Sequence, residues 1–155
     1  VVQLAKIRGA RVVAMASEAK HADVATLGAD LLLPRDPGNL KAALADERVT
    51  VVADIVGGSV WPALIDVLAR GGRYTCSGAI AGPMVDFDLR TFYLRDLTFT
   101  GSTVIDREVM PRLIGYIEAG KVRPVLAATY ALAELHDAQR AFIAKTHTGN
   151  IVVCP

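Results

Sequence analysis

Apolar positions along the chain keep two alternating rhythms. Residues 1–8 have helical spacing that ends at Gly9, and the β-branched run RVVAMAS (11–17) follows at once. An apolar run without alternation is expected of a strand covered on both faces. The spacing next predicts a helix from Glu18 to Leu27, with Ser17 as its N-cap and Gly28 closing it. DLLLPR (30–35) is a second strand, stopped by Pro34 and Pro37. Asn39 then caps a short helix with Leu40, Ala43 and Leu44 on one face.

VTVVADIV (49–56) is a third buried strand, ended by Gly57-Gly58. Ser59 is placed to cap a helix whose apolar stripe is Trp61, Leu64, Ile65 and Leu68, with Pro62 in its first turn and Gly71-Gly72 as its exit. RYTCSG (73–78) is a fourth strand, and LTFTGSTV (97–104) a fifth after a polar connection. Asp106 is placed to cap a helix carrying Met110, Leu113, Ile114 and Ile117, stopped by Gly120. Strands alternating with helices imply right-handed βαβ crossovers and a parallel sheet covered on both sides, an α/β Rossmann-like doubly wound class. From about Arg123 the rhythm changes, to RPVLAATYALAEL, a helix with Ala138, Ala141 and Phe142, and a final strand NIVVCP. The expected division is residues 1–122 as an incomplete Rossmann-like region and 123–155 as a separate C-terminal segment.

Composition removes several function classes. The chain has 155 residues with 17 Lys+Arg against 16 Asp+Glu, the two signs interleaved, so no basic surface for nucleic acid is advertised. No charge-free apolar run approaches the roughly 20 residues of a spanning helix and no signal-peptide pattern is present, which makes a cytoplasmic setting the default expectation. Cys76 and Cys154 lie in no CxxC or Cys/His cluster and read as buried small hydrophobes. His21, His136 and His147 have no second ligand at metal spacing and read as surface residues, so no metal ligands are assigned.

The segments LAKIRGARVVAMAS, LGAD (27–30), VVADIVGG (51–58), LARGGRYTCSG (68–78), LTFTGST (97–103) and GKVRPVLAATYALAELHDAQRAF (120–142) together resemble the medium-chain dehydrogenase/reductase superfamily. More narrowly they resemble its zinc-type alcohol dehydrogenase and quinone oxidoreductase branches. In that family a catalytic domain, a strand and a GxGxxG turn precede a helix like VVQLAKIRGA, and no GxGxxG occurs in this sequence. The resemblance thus implies that the first, central strand of a 3-2-1-4-5-6 sheet is missing, whether cleaved, disordered or supplied by another chain. RVVAMAS and VTVVADIV would then each keep an unpaired edge, and a cooperative fold is not expected from these residues alone. The final strand would lack much of its sheet and be loosely held or docked on a neighbour. Near HTGN the family commonly has Gly-Lys, where this chain has Gly149-Asn150.

The end of the second family strand sets the choice of cofactor. Here it reads Ala16-Ser17 with no acid, and Lys20 follows in the first turn of a helix, where a cation opposes the dipole unless an anion sits there. A 2′-phosphate is such an anion, with Ser17 and Lys20 as its ligands and Arg35 placed to close the site, so NADP(H) is favoured. Glu18 turning onto a ribose would make the site NAD-type instead. The resemblance further implies that Val56, Gly57, Ser77, Gly78 and Ala79 pass under the nicotinamide-ribose half, mostly through backbone groups. Turn chemistry alone is the competing account of Gly57.

The implied reaction is hydride transfer between the nicotinamide C4 and a small-molecule carbonyl, alcohol or conjugated alkene, the cofactor carrying the chemistry. Zinc, where relatives use it, is held by the first domain, whose ligand segments do not occur here. No catalytic residue is assigned, and this chain alone is expected to be inactive. The fifth strand is expected at a sheet edge, pairing with its twin in a homodimer. A non-catalytic dinucleotide-sensing module and a methyltransferase-like sheet are the alternatives, the second opposed by Lys20 and the family-like tail.

Overall fold

The structure is a computed structural model that describes residues 1–155. In chain order it contains α1 (Val2–Ile7), β1 (Val13–Met15), α2 (His21–Thr26), β2 (Leu31–Leu33), α3 (Leu40–Leu44), β3 (Val49–Asp54), α4 (Trp61–Asp66), β4 (Leu68–Cys76), α5 (Leu89–Leu94), β5 (Thr98–Gly101), α6 (Val109–Glu118), β6 (Leu126–Ala131), α7 (Leu135–Ala144) and β7 (Asn150–Cys154). The strands form three separate sheets, β1–β2, β3–β4–β5 and β6–β7. β3 runs parallel to β4, β4 to β5, and β6 to β7. β1 and β3 each stand at the edge of their own sheet. The chain divides into two compact units, Leu33–Asp106 (with Val1) and Val2–Leu32 together with Arg107–Pro155.

In the first unit the core lies beneath β3–β4–β5. Val52, Trp61, Ile65, Leu68, Tyr74 and Leu97 are buried, with Phe87, Phe92 and Phe99 packed against them. The Trp61 ring meets Tyr74, Phe87 and Phe99 edge-on at centroid distances of 6.1, 5.1 and 6.2 Å. That is the geometry the ring quadrupoles favour. Asn39 caps α3 as expected, its side chain accepting from the Ala42 N–H at 3.0 Å, and Leu40 and Leu44 are buried.

Several boundaries differ from the sequence-based expectation. Gly71-Gly72 is not the exit of α4: that helix ends at Asp66, and the pair lies inside β4. Between the pairs Val49↔Leu68 and Val51↔Arg73, β4 advances five residues while β3 advances two, and the excess is absorbed as a bulge. Arg95 closes the exit of α4, donating to the carbonyls of Ile65 and Asp66 at 3.2 Å each and also to that of Leu68. Such use of a cation at a helix C-terminus satisfies carbonyls that have no intrahelical partner. Ser59 falls within a 3-10 turn (Gly58–Val60) and does not cap α4. Asp106 does not cap α6, which starts at Val109 behind Glu108, with Pro111 in the first turn, where its missing N–H costs nothing. The polar connection before β5 contains α5, capped by Asp88 through the Arg90 N–H at 2.9 Å.

In the second unit α2 is shorter than expected, because Glu18–Lys20 form a 3-10 turn before it. Ser17 stands at the cap position in extended conformation, but its side chain caps nothing; its carbonyl receives the Lys20 N–H at 2.8 Å. The β1 residues Val13–Met15 are half-buried rather than fully covered. β7 is held by β6 over the pairs Leu126↔Asn150 to Ala131↔Cys154, so the final strand has one neighbour in a two-stranded sheet. Its alternation leaves Asn150, Val152 and Cys154 on the exposed face, which corrects the expectation of a buried Cys154; Cys76 is half-buried.

Candidate functional site

In the first unit β3 and β4 end level, with Asp54 opposite Cys76. The chain leaves β3 through Ile55–Gly58 and leaves β4 through Ser77–Gly82, and these two turns pack on each other. The N–H of Ala81 donates to the Val56 carbonyl at 2.8 Å and that of Gly58 to the Gly82 carbonyl at 3.0 Å. Gly57 has a φ of +62°, and a Cβ there would lie 2.9 Å from the Gly82 carbonyl oxygen and 3.2 Å from Ala79. A Cβ on Gly78 would lie 2.9 Å from the Ile55 carbonyl oxygen. Both positions therefore require glycine, one for its dihedral and both for the close approach of backbone to backbone.

One carboxylate organises this end of the sheet. Asp54 is buried, and its Oδ1 accepts from the N–H of Val56 at 2.7 Å and of Gly57 at 3.1 Å, while its Oδ2 accepts from the Tyr74 hydroxyl at 2.8 Å. Val52 and Asp54 are two residues apart on β3 and so share the core-facing side. Tyr74, opposite Val52 on β4, reaches diagonally to the carboxylate. Burial, then the Asp54 bond, pushes the Tyr74 phenol well above its ordinary pKa, so it remains a donor. Around this polar knot the surface is apolar, with Ile55, Val56 and Ile80 exposed by 62, 42 and 84%.

The expected nicotinamide-side residues Val56, Gly57, Ser77, Gly78 and Ala79 all belong to this pair of turns. Val56 and Ser77 are exposed, Gly57 is buried, and Gly78 and Ala79 are half-buried. The Ser77 N–H is spent on the Asp54 carbonyl at 3.0 Å. Arg35 belongs to this unit as well and is exposed in the turn after β2.

Ser17 and Lys20 lie in the second unit. Lys20 is half-buried, and its Nζ donates to the carbonyls of Lys145 at 3.0 Å and His147 at 2.6 Å. An ammonium has three N–H donors, so one remains uncommitted. The Ser17 hydroxyl caps nothing. Two imidazoles expected at the surface are partly covered: His21 places Nε2 3.1 Å from the Ala16 carbonyl, and His147 has a buried Nδ1 without a partner. His136 is exposed. No three His, Cys, Asp or Glu side chains converge, so the residues of this chain do not fit a zinc ion.

The turn at the end of β3 and β4 fits an uncharged group such as a ribose, because its charge faces inward and its outer face is apolar. Ser17 and Lys20 fit an anion, because each keeps a donor. Asp54 and Tyr74 escaped the sequence reading. The available signal was a lone acid in VTVVADIVGG, two residues behind a buried valine.

The chain matches the zinc-binding dehydrogenase family over residues 1–119. It is 26% identical to an acryloyl-coenzyme A reductase of Sulfurisphaera tokodaii, across 99% of this chain and 46% of that protein. It is 29% identical to the chloroplastic NADPH-dependent alkenal/one oxidoreductase of Arabidopsis thaliana, across 100% of this chain and 37% of that protein. A solved structure from Sinorhizobium meliloti, assigned as an alcohol dehydrogenase, superposes with a TM-score of 0.92 at 42% identity, covering 99% of this chain and 44% of that one. The chain thus spans less than half the length of the proteins it matches, and within that span the match establishes the Rossmann-like class. A parallel sheet ending in glycine-tight turns, in register with oxidoreductases along its length, makes this chain a member of the zinc-binding dehydrogenase family.

Proposed function

We propose that the chain forms the nucleotide-binding part of an NADP(H)-dependent oxidoreductase acting on a small carbonyl, alcohol or conjugated alkene. The observation that carries this reading is the turn held by Asp54, which presents an apolar, glycine-tight surface at the carboxyl end of a parallel sheet, where such sheets bind dinucleotides. When bound, the nicotinamide supplies the hydride chemistry. Val56, Gly57, Ser77, Gly78 and Ala79 orient its ribose half. Ser17 and Lys20, neighbours in the second unit, bind the 2′-phosphate. Preference for the phosphorylated cofactor follows from the absence of an acid in Ala16-Ser17 and from the third N–H of Lys20.

Dissociation constants for NADPH and NADH, measured by cofactor fluorescence on the intact protein, test the reading. Tighter NADPH binding is expected, and tighter NADH binding overturns the phosphate assignment. No catalytic group is assigned among the 155 residues, and this chain alone is expected to be inactive. β5 pairs with β4 on one side only, and its other edge is proposed to join a second copy in a homodimer. A monomeric mass by light scattering on the intact protein would reject that dimer.

A further inference from the structure

We infer that Asp54 and Tyr74 are positioning residues that set affinity for the nicotinamide half of the cofactor and leave the adenosine half untouched. The inference rests on the reading that the 55–58 turn faces the nicotinamide ribose. Neither side chain reaches the surface: both are 5% exposed. Their effect passes through backbone, because the two N–H groups that Asp54 holds belong to Val56 and Gly57, and the Val56 carbonyl is in turn tied to Ala81. The carboxylate has no cation among its partners. Three donors, two from the turn and one from the Tyr74 hydroxyl, are what keep it satisfied in the interior. Removing one acceptor function frees the turn where its backbone must lie against a ligand, and misplacement of that kind is costly because complementarity is short-ranged.

A merely structural knot would behave differently. It would lower stability and weaken every ligand alike. A positioning pair divides the cofactor in two, weakening NADPH while sparing adenosine 2′,5′-bisphosphate, which has no nicotinamide.

The test compares those two ligands by calorimetry on the intact wild-type protein, Asp54→Asn and Tyr74→Phe, with Tm recorded for each. In Asp54→Asn the amide keeps one acceptor and points a donor at donors, and NADPH is expected to weaken about tenfold, as for one lost hydrogen bond to a charged group. Tyr74→Phe leaves both backbone bonds in place, and a loss of about threefold is expected. Adenosine 2′,5′-bisphosphate is expected to bind all three proteins within about twofold. Equal losses for both ligands, or unchanged NADPH binding in both variants, overturn the inference. If Asp54→Asn does not fold, Tyr74→Phe alone decides. Should the wild-type protein bind NADPH no better than the bisphosphate, it is the assignment of the turn to the nicotinamide half that fails, whatever the variants do.

Discussion

Lys20 fastens the start of α2 to the loop that leaves α7, its ammonium donating to the carbonyl oxygens of both Lys145 and His147. The loop itself holds an unusual conformation, with Lys145 at a φ of +55° and its own ammonium 3.6 Å from the centre of the Phe142 ring. A residue proposed as a phosphate ligand is therefore also a tether, and the two roles use different protons of one group.

Replacing Lys20 with Met should show both roles at once. Without cofactor, the backbone amides of residues 145–149 should exchange with solvent at least about tenfold faster, the equivalent of one lost hydrogen bond to a charged donor. The ratio of NADPH to NADH affinity should fall by a similar factor of about ten. Hydrogen exchange followed by mass spectrometry and fluorescence titration check the two. Unchanged exchange in the variant would dismiss the tether.

Gly57→Ala should destabilise the protein by about 1–3 kcal/mol, since the substitution adds a strained positive φ to a Cβ packed against backbone. The neighbours it would press are the Gly82 carbonyl and Ala79, which belong to a turn and not to a flexible side chain. Urea unfolding with a constant m-value measures the cost. A Cβ on Gly101 would meet nothing within 4 Å, and the φ there is not in the left-handed region, so Gly101→Ala is the matched control and should change stability little.

Stability should fall on the alkaline side through Tyr74. The folded state raises this phenol above its ordinary value of 10.0, so the folded protein holds the proton where the unfolded chain releases it. The contribution is complete below pH 10 and declines as pH rises beyond that value toward the folded-state pKa. Tyr74→Phe removes this dependence. Denaturation midpoints between pH 8 and 11 should slope downward in the wild-type protein and be flatter in the variant.

On the acid side the group to follow is Asp30. Its carboxylate accepts from Lys6 Nζ at 2.9 and 2.8 Å and from the Val12 N–H at 2.7 Å, and the Lys6 bond, followed by the Val12 bond, holds its pKa below the ordinary 3.8. A depressed folded value means stability present above pH 3.8 and lost as pH falls through the folded pKa. A carboxyl-carbon NMR titration should show Asp30 ionising below its ordinary range, and Lys6→Met should move the midpoint upward.

Element order can be read from the sequence because it rests on local signals: apolar runs such as VTVVADIV, the Asn39 cap, and glycine after helical spacing. Boundaries depart from it where a distant residue decides them. Nothing near Leu68 announces that Arg95, almost thirty positions on, closes α4. Nothing local shows that Gly71-Gly72 is a bulge, because that depends on register with β3. The same cause hides the Asp54–Tyr74 bond, which joins residues on different strands. Ser17 does stand at a helix start, but the choice between a capping hydroxyl and a bare carbonyl depends on the tightness of a single turn.

The inward carboxylate has a last consequence. Successive backbone N–H groups at the end of a strand ordinarily form a hollow that attracts anions. Here Asp54 fills that hollow from within, consuming the N–H groups of Val56 and Gly57 and leaving a negative charge behind them. The turn is thereby closed to phosphate by its own side chain.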